Sequence, residues 1–181
     1  MPQQIREVVV DPAVPGRLAI REVGLRDPDR DEVSVRVTAI SLNRGETRRA
    51  LQVAEVGWRP GWDFAGIVET AAGDGSGPEA GTRVVGILPS GAWAERVNCR
   101  SHAVAVLPDG VSDTQAATLP VAGLTALHAL RQGGLRPSSS PPCRSACNAV
   151  SPATGSVAAW ASLTASGRMA CLLYTSPSPR D

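Results

Sequence analysis

Two polar side chains stand where this chain bends sharply. In Pro60-Gly61-Trp62-Asp63-Phe64-Ala65-Gly66 a Pro-Gly turn leads into a strand and carries Trp62 and Asp63 at its exit. Pro fixes φ and Gly allows positive φ, so the backbone can turn tightly and then run straight. Gly66, early in the strand, marks a bulge or a close approach by another backbone or a ligand. The indole of Trp62 cannot bind zinc, which takes thiolate, imidazole or carboxylate donors. Asp63 could orient a bound group, or bond the nearby backbone. Asn43, after an earlier strand, offers two donors and an acceptor, or an N-cap for the helix behind it. His102 and His128 have no evident nucleophile with an acidic partner, so hydrolase chemistry finds no support. Cys99, Cys143, Cys147 and Cys171 fit neither a zinc knuckle nor a disulfide framework.

These residues sit in a strand-rich frame. Ile5–Val10, Leu18–Val23, Glu32–Ile40, Asp63–Ala71, Thr82–Leu88, Ala92–Val97 and Ala103–Leu107 read as short strands between Gly/Pro/Asp turns. In Glu32–Ile40, Val33, Val35, Val37 and Ala39 alternate with Ser34, Arg36 and Thr38, which predicts one buried face. Thr47–Leu51 reads as a helical turn. Gly73-Asp74-Gly75-Ser76-Gly77-Pro78 is a surface turn and not a phosphate loop, because Pro78 holds the third glycine position and no helical pattern follows. The pattern changes at Ser112-Asp113-Thr114-Gln115, a capping box. Pro120 interrupts the helix it opens, and a second helix is expected over Val121–Gln132 before Gly133-Gly134. Seven short strands suit an all-β barrel or sandwich.

The order of these motifs resembles the medium-chain dehydrogenase/reductase superfamily, in its zinc-free quinone oxidoreductase branch. In the zinc alcohol dehydrogenases of that superfamily the turn at Gly61-Trp62-Asp63 reads Gly-His-Glu and supplies a metal ligand. A ligating Cys stands near the position of Asn43, where zinc-free members usually have Asn. Gly91-Ala92-Trp93-Ala94-Glu95-Arg96-Val97 resembles the Gly-aromatic-Ala-Glu strand of the same proteins, and Ala116–Leu130 resembles their passage from barrel to cofactor domain. The resemblance covers 1–136. It implies a mainly β, GroES-like catalytic domain with connecting helices, which would lead to a Rossmann domain. It further implies NADPH as cofactor, Asn43 and Thr125 at the nicotinamide, Asn43 as the catalytic candidate, Trp62 and Asp63 lining the substrate pocket, and no metal. The intact protein would then pass a hydride from NADPH to a quinone, enone or similar carbonyl without zinc, as a possible homodimer. The alternatives are a non-enzymatic GroES-like binding module and a zinc-dependent alcohol dehydrogenase relative.

Composition bounds the rest. The net charge is +1, and all 18 basic residues are Arg, which gives no electrostatic case for nucleic acid or a membrane surface. No long apolar run could span a bilayer, and Met1-Pro2-Gln3-Gln4 lacks the features of a signal peptide, so a cytoplasmic protein acting on a small molecule is expected. Residues 137–181 hold one acidic residue, Asp181, against 16 in 1–136. This Ser/Pro-rich segment is expected to be an irregular or disordered tail, or out-of-frame sequence whose last eleven residues resemble translated sequencing adapter. No Gly-x-Gly-x-x-Gly run occurs. Without the cofactor domain, the chain as written is expected to be inactive.

Overall fold

A computed structural model describes residues 3–132, 158–163 and 169–173. The chain forms two compact units, Met1–Ala117 and Thr118–Asp181. The first opens with a hairpin of β1 (Gln3–Val10) and β2 (Leu18–Leu25), paired antiparallel from Gln3↔Leu25 to Val10↔Leu18. The connection includes a 3-10 turn, Pro15–Arg17, in which Gly16 and Arg17 both take positive φ. Arg17 is held there by its guanidinium, which donates to the carbonyls of Ala50 (3.4 Å) and Ala54 (2.6 Å). These carbonyls lie at the C-terminal end of helix α1 (Arg44–Gln52), where backbone oxygens lack helical partners and a cation is favoured.

The main sheet comprises β3 (Glu32–Ile40), β4 (Asp63–Thr70), β5 (Arg83–Ile87), β6 (Arg96–Arg100) and β7 (Val104–Val106). All neighbours are antiparallel, in the order β6-β3-β4-β5-β7. Val33, Val35, Phe64, Val68, Val84, Val97 and Cys99 fill one core. Ala65, the neighbour of Phe64, points to the opposite face, as strand alternation requires. There it meets Leu107 and Ala116 and Ala117 of the short helix α2 (Asp113–Ala117). The box that opens α2 is formed as expected: Ser112 N donates to Gln115 Oε1 (3.1 Å), and Gln115 N to Ser112 Oγ (3.3 Å).

Two details depart from simple periodicity. Val33 and Val35 share the core face, but Ala39 joins the cluster on the other side. The register against β4 shifts between Val37 and Ala39, so Thr38 is an extra residue and the faces exchange beyond it. Gly66 stands opposite Val37, and a Cβ on it would lie 2.2 Å from the Arg36 carbonyl oxygen. The expected close backbone approach at Gly66 is therefore present. The expected strand Ala92–Val97 is displaced to Arg96–Arg100. Trp93 to Glu95 instead form a bridge between β1 and β3. Val8 N donates to Trp93 O (2.9 Å), Glu95 N to Arg6 O (3.0 Å) and Val37 N to Glu95 O (2.9 Å). A segment satisfying two different strands cannot keep regular pairing with either.

The second unit begins with a π-helical turn, Leu119–Gly123, which carries Pro120 and runs into α3 (Leu124–Gln132). The helix expected from Val121 thus starts three residues later. Pro lacks an N–H, and the wider turn accommodates that missing donor. In the region read as an irregular tail, β8 (Ala158–Leu163) and β9 (Met169–Leu173) form an antiparallel pair that the sequence reading did not anticipate. The remainder of that segment lies outside the described residues. Among the described residues no helix is long and apolar enough to cross a membrane.

Phe64 is fully buried, and a Cβ on Gly86 across the strand pair would meet its ring at 2.4 Å. Phe64→Ala should cost about 3–5 kcal/mol. Gly86→Ala should destabilise the parent more than it destabilises the Phe64→Ala background, because the smaller side chain opens room for the new methyl. Urea unfolding of the four proteins in a double-mutant cycle measures that coupling.

Candidate functional site

Asn43 is the N-cap of α1, with extended backbone angles of φ −88 and ψ 139, and Glu46 is the third helical residue. The two close a capping box. Glu46 Oε1 accepts the Asn43 backbone N–H (2.8 Å), and the Asn43 side chain takes the Glu46 N–H in return. Asn43 Nδ2 also donates to Glu46 Oε1 (3.0 Å) and to Asp63 Oδ2 (2.9 Å), with Ser41 Oγ at 3.3 Å. Ser41 Oγ donates to the same Asp63 oxygen at 2.8 Å. Trp93 Nε1 donates to the Ser41 carbonyl (3.2 Å) and so anchors the segment before the helix. One amide nitrogen thus serves two carboxylates, Glu46 and Asp63, both at 0% exposure.

The turn at Pro60-Gly61 positions Asp63. Gly61 has φ 108, and a Cβ there would lie 2.3 Å from the backbone nitrogen of Trp93. Only glycine lets this turn pass so close to that chain. Trp62 then lies over the first turn of α1: a Cβ on Gly45 would be 3.0 Å from its ring. Asn43 and Trp62 are both half-buried, so each keeps part of its surface open.

Burial pushes the Glu46 carboxyl above its ordinary value, and the negative charge of Asp63 pushes it further; the bonds from Asn43 and the backbone N–H of Trp62 only partly oppose this. An ion taken out of water favours its neutral form unless donors replace the solvent. Glu46 Oε2 is buried and has no hydrogen-bond partner among the described residues. Cys99 is also buried, and its thiol is pushed up to about 12, which makes it a packing residue and not a nucleophile.

The structure therefore brings Asn43 and Asp63 into direct contact, with Trp62 beside them over Gly45. Thr125 lies in the second unit, on the first turn of α3, with its side chain exposed. Glu46 and Ser41 were not singled out from the sequence. The signal for Glu46 was present: Asn43-x-x-Glu46 has the capping-box spacing. Among the described residues no group of three or more His, Cys, Asp or Glu could hold a metal ion. The chemistry of the site agrees, since Asn43 points N–H groups at both carboxylates, where a cation would have to sit. Cys143 and Cys147 lie outside the described residues.

Comparison with known proteins assigns this frame. Residues 29–109 match the alcohol dehydrogenase GroES-like domain. A mycocerosic acid synthase-like polyketide synthase from Mycobacterium tuberculosis is 34% identical over 147 residues, covering 72% of this chain and 7% of that protein. The chloroplastic quinone-oxidoreductase homolog of Spinacia oleracea is 33% identical over 120 residues, covering 61% of this chain and 36% of its own length. The structure of Escherichia coli quinone oxidoreductase complexed with NADPH superposes with a TM-score of 0.62 at 28% identity, covering 72% of this chain and 40% of that one. The chain carries the N-terminal, GroES-like domain of the medium-chain dehydrogenase/reductase superfamily. It spans less than half the length of each of these relatives.

The raised carboxyl of Glu46 fixes a sign for pH dependence. A folded group that binds its proton more tightly than the unfolded chain stabilises fully below the unfolded value, here 4.5, and loses that contribution as pH rises through the folded value. Gln at position 46 carries no such titration. Glu46→Gln should therefore gain stability relative to the parent as pH is raised from 4 towards 8. Thermal unfolding of both proteins across that range checks it; a constant or shrinking Tm difference would show that Glu46 titrates normally.

Proposed function

We propose that this domain is the substrate-side half of a zinc-independent reductase that uses NADPH to reduce a quinone, enone or similarly activated carbonyl compound. The observation that carries this reading is the Asn43–Glu46–Asp63 network. It commits the Asn43 amide hydrogens to two buried carboxylates, where a cation would otherwise have to sit, with the indole of Trp62 beside them. The quinone oxidoreductase relatives support the reaction class, and the NADPH complex of the Escherichia coli protein supports the cofactor. The polyketide synthase relative indicates that this kind of domain also occurs as a small part of a much longer chain.

On this reading NADPH would supply the hydride, and its oxidised form would leave as NADP+. The electrophilic carbon of the substrate takes that hydride, and a proton from solvent completes the reduction. Asn43 orients the reacting groups from the head of α1, and Trp62 presents an apolar wall that restricts water. Thr125 is the second candidate for the nicotinamide end, where its hydroxyl would bond the carboxamide. The partner is a small molecule, the compartment is the cytoplasm, and the intact protein forms a homodimer. Neither Asn43 nor Trp62 fits a zinc-dependent dehydrogenase, because neither is a ligand that metal takes. A purely binding role for the barrel is the reading that a failed assay would favour.

Residues 1–181 alone should show no NADPH oxidation with a quinone, because orientation of the two reactants is worth up to about 7–11 kcal/mol and needs a nucleotide-binding half. Joined to that half of the Escherichia coli relative, residues 1–132 should oxidise NADPH with a quinone or an enone, insensitive to a zinc chelator. In a chimera shown to be folded by circular dichroism, Asn43→Leu should lower kcat/KM by about tenfold, equivalent to about 1.4 kcal/mol. Chelator-sensitive turnover, or none from a folded chimera, would count against the proposal.

A further inference from the structure

The geometry points to Glu46 as a positioning residue that fixes the polarity of Asn43, so that a ligand meets a hydrogen-bond acceptor there and never a donor. This inference deepens the reductase reading and rests on it for the identity of the ligand. An asparagine amide has two N–H donors and an oxygen with two lone pairs. Both donors are committed. Nδ2 stands 3.0 Å from Glu46 Oε1 and 2.9 Å from Asp63 Oδ2, and both carboxylates are fully buried. The side-chain oxygen takes the Glu46 N–H in the capping box and keeps one lone pair. Because Asn43 is half-buried, that lone pair is what the amide has left to offer.

Rotating the amide by half a turn would set its oxygen against two carboxyl oxygens. Two hydrogen bonds to acidic acceptors would be exchanged for repulsion between acceptors, and each buried carboxyl would lose one of its donors. Glu46 holds the arrangement most firmly, because one oxygen, Oε1, receives both the backbone N–H and the side-chain N–H of Asn43. An aspartate at 46 is one methylene shorter and cannot make both contacts without moving the helix start. Substrate class follows from this polarity. Asn43 can accept from the NH2 of a carboxamide or from the hydroxyl of a reduced quinone. It cannot polarise the carbonyl of an oxidised substrate, which must find its donor on another group.

The test uses the 1–181 chain labelled with 15N. Both side-chain NH2 hydrogens of Asn43 should exchange slowly with solvent. Glu46→Gln, which keeps an oxygen at Oε1, should preserve that protection, and Glu46→Leu should abolish it. Nicotinamide and N,N-dimethylnicotinamide are then titrated as probes with and without an N–H. Nicotinamide should bind about tenfold more tightly, a difference of about 1.4 kcal/mol, and Asn43→Leu should erase the preference. Fast exchange of the Asn43 NH2 in the parent overturns the positioning role without reference to any variant. Equal affinity of the two probes overturns the acceptor polarity. Protected NH2 groups with no binding of either probe uphold the positioning role and count against the nicotinamide site.

Discussion

Two buried carboxylates must be neutralised or supplied with donors, and in this domain Asn43 does that for both. Its amide nitrogen reaches Glu46 on the helix that it caps and Asp63 at the start of β4. Ser41 adds a second donor to Asp63. Two stretches of chain distant in sequence are thereby pinned at one point: the link from β3 into α1 and the turn into β4. The burial of Glu46 and Asp63 would be costly without those bonds, since an unpartnered charge in the interior shifts its protonation or disrupts the fold. The raised proton affinity of Glu46 shows that the donors offset the cost only in part.

Close backbone approaches make this meeting possible. Gly61 passes against Trp93, and Gly66 against Arg36, at distances no side chain would tolerate. The register shift at Thr38 lies beside the second of these contacts. It also turns Thr38 so that its hydroxyl bonds Asp113 (2.6 Å), which in turn pairs with Arg83. The head of α2 is fixed to β3 by that hydrogen bond and to β5 by the ion pair. Site and sheet are therefore built by the same irregularities.

The sequence made much of this legible. Turn residues and alternation located six of the seven strands, because Val, Ile and Thr between Gly/Pro/Asp punctuation have few other uses. The box at Ser112 and Gln115 could be read from spacing alone. The displaced strand near Trp93 could not, since it follows from a bridge to β1, a contact of long sequence separation. The exchange of faces at Ala39 was hidden for the same reason: a bulge changes which side a residue takes without altering the hydrophobic pattern before it. Asn43, Trp62 and Asp63 were singled out by the resemblance of their turns to a known family, and the structure brings them together. Glu46 was missed, although Asn43-x-x-Glu46 repeats the logic applied to Ser112. A glutamate on a polar helix with two arginines after it reads as solvated surface, and only its fully buried position shows otherwise.

The chemistry proposed for the domain follows from how its negative charge is balanced. A cluster with two buried carboxylates can be neutralised by a cation, by protons or by hydrogen-bond donors, and each choice leaves a different tool for a ligand. A metal would leave a Lewis acid able to polarise a carbonyl. Here amide hydrogens take that part, and on the proposed reading what is left for a ligand is an oxygen lone pair and an indole. A site of this kind gains little by gripping a substrate carbonyl directly. It can hold a carboxamide in register, exclude water, and leave reduction to whatever hydride donor is brought to it. The activated substrates proposed for it need no more, because a quinone or an enone accepts hydride without a metal at its oxygen.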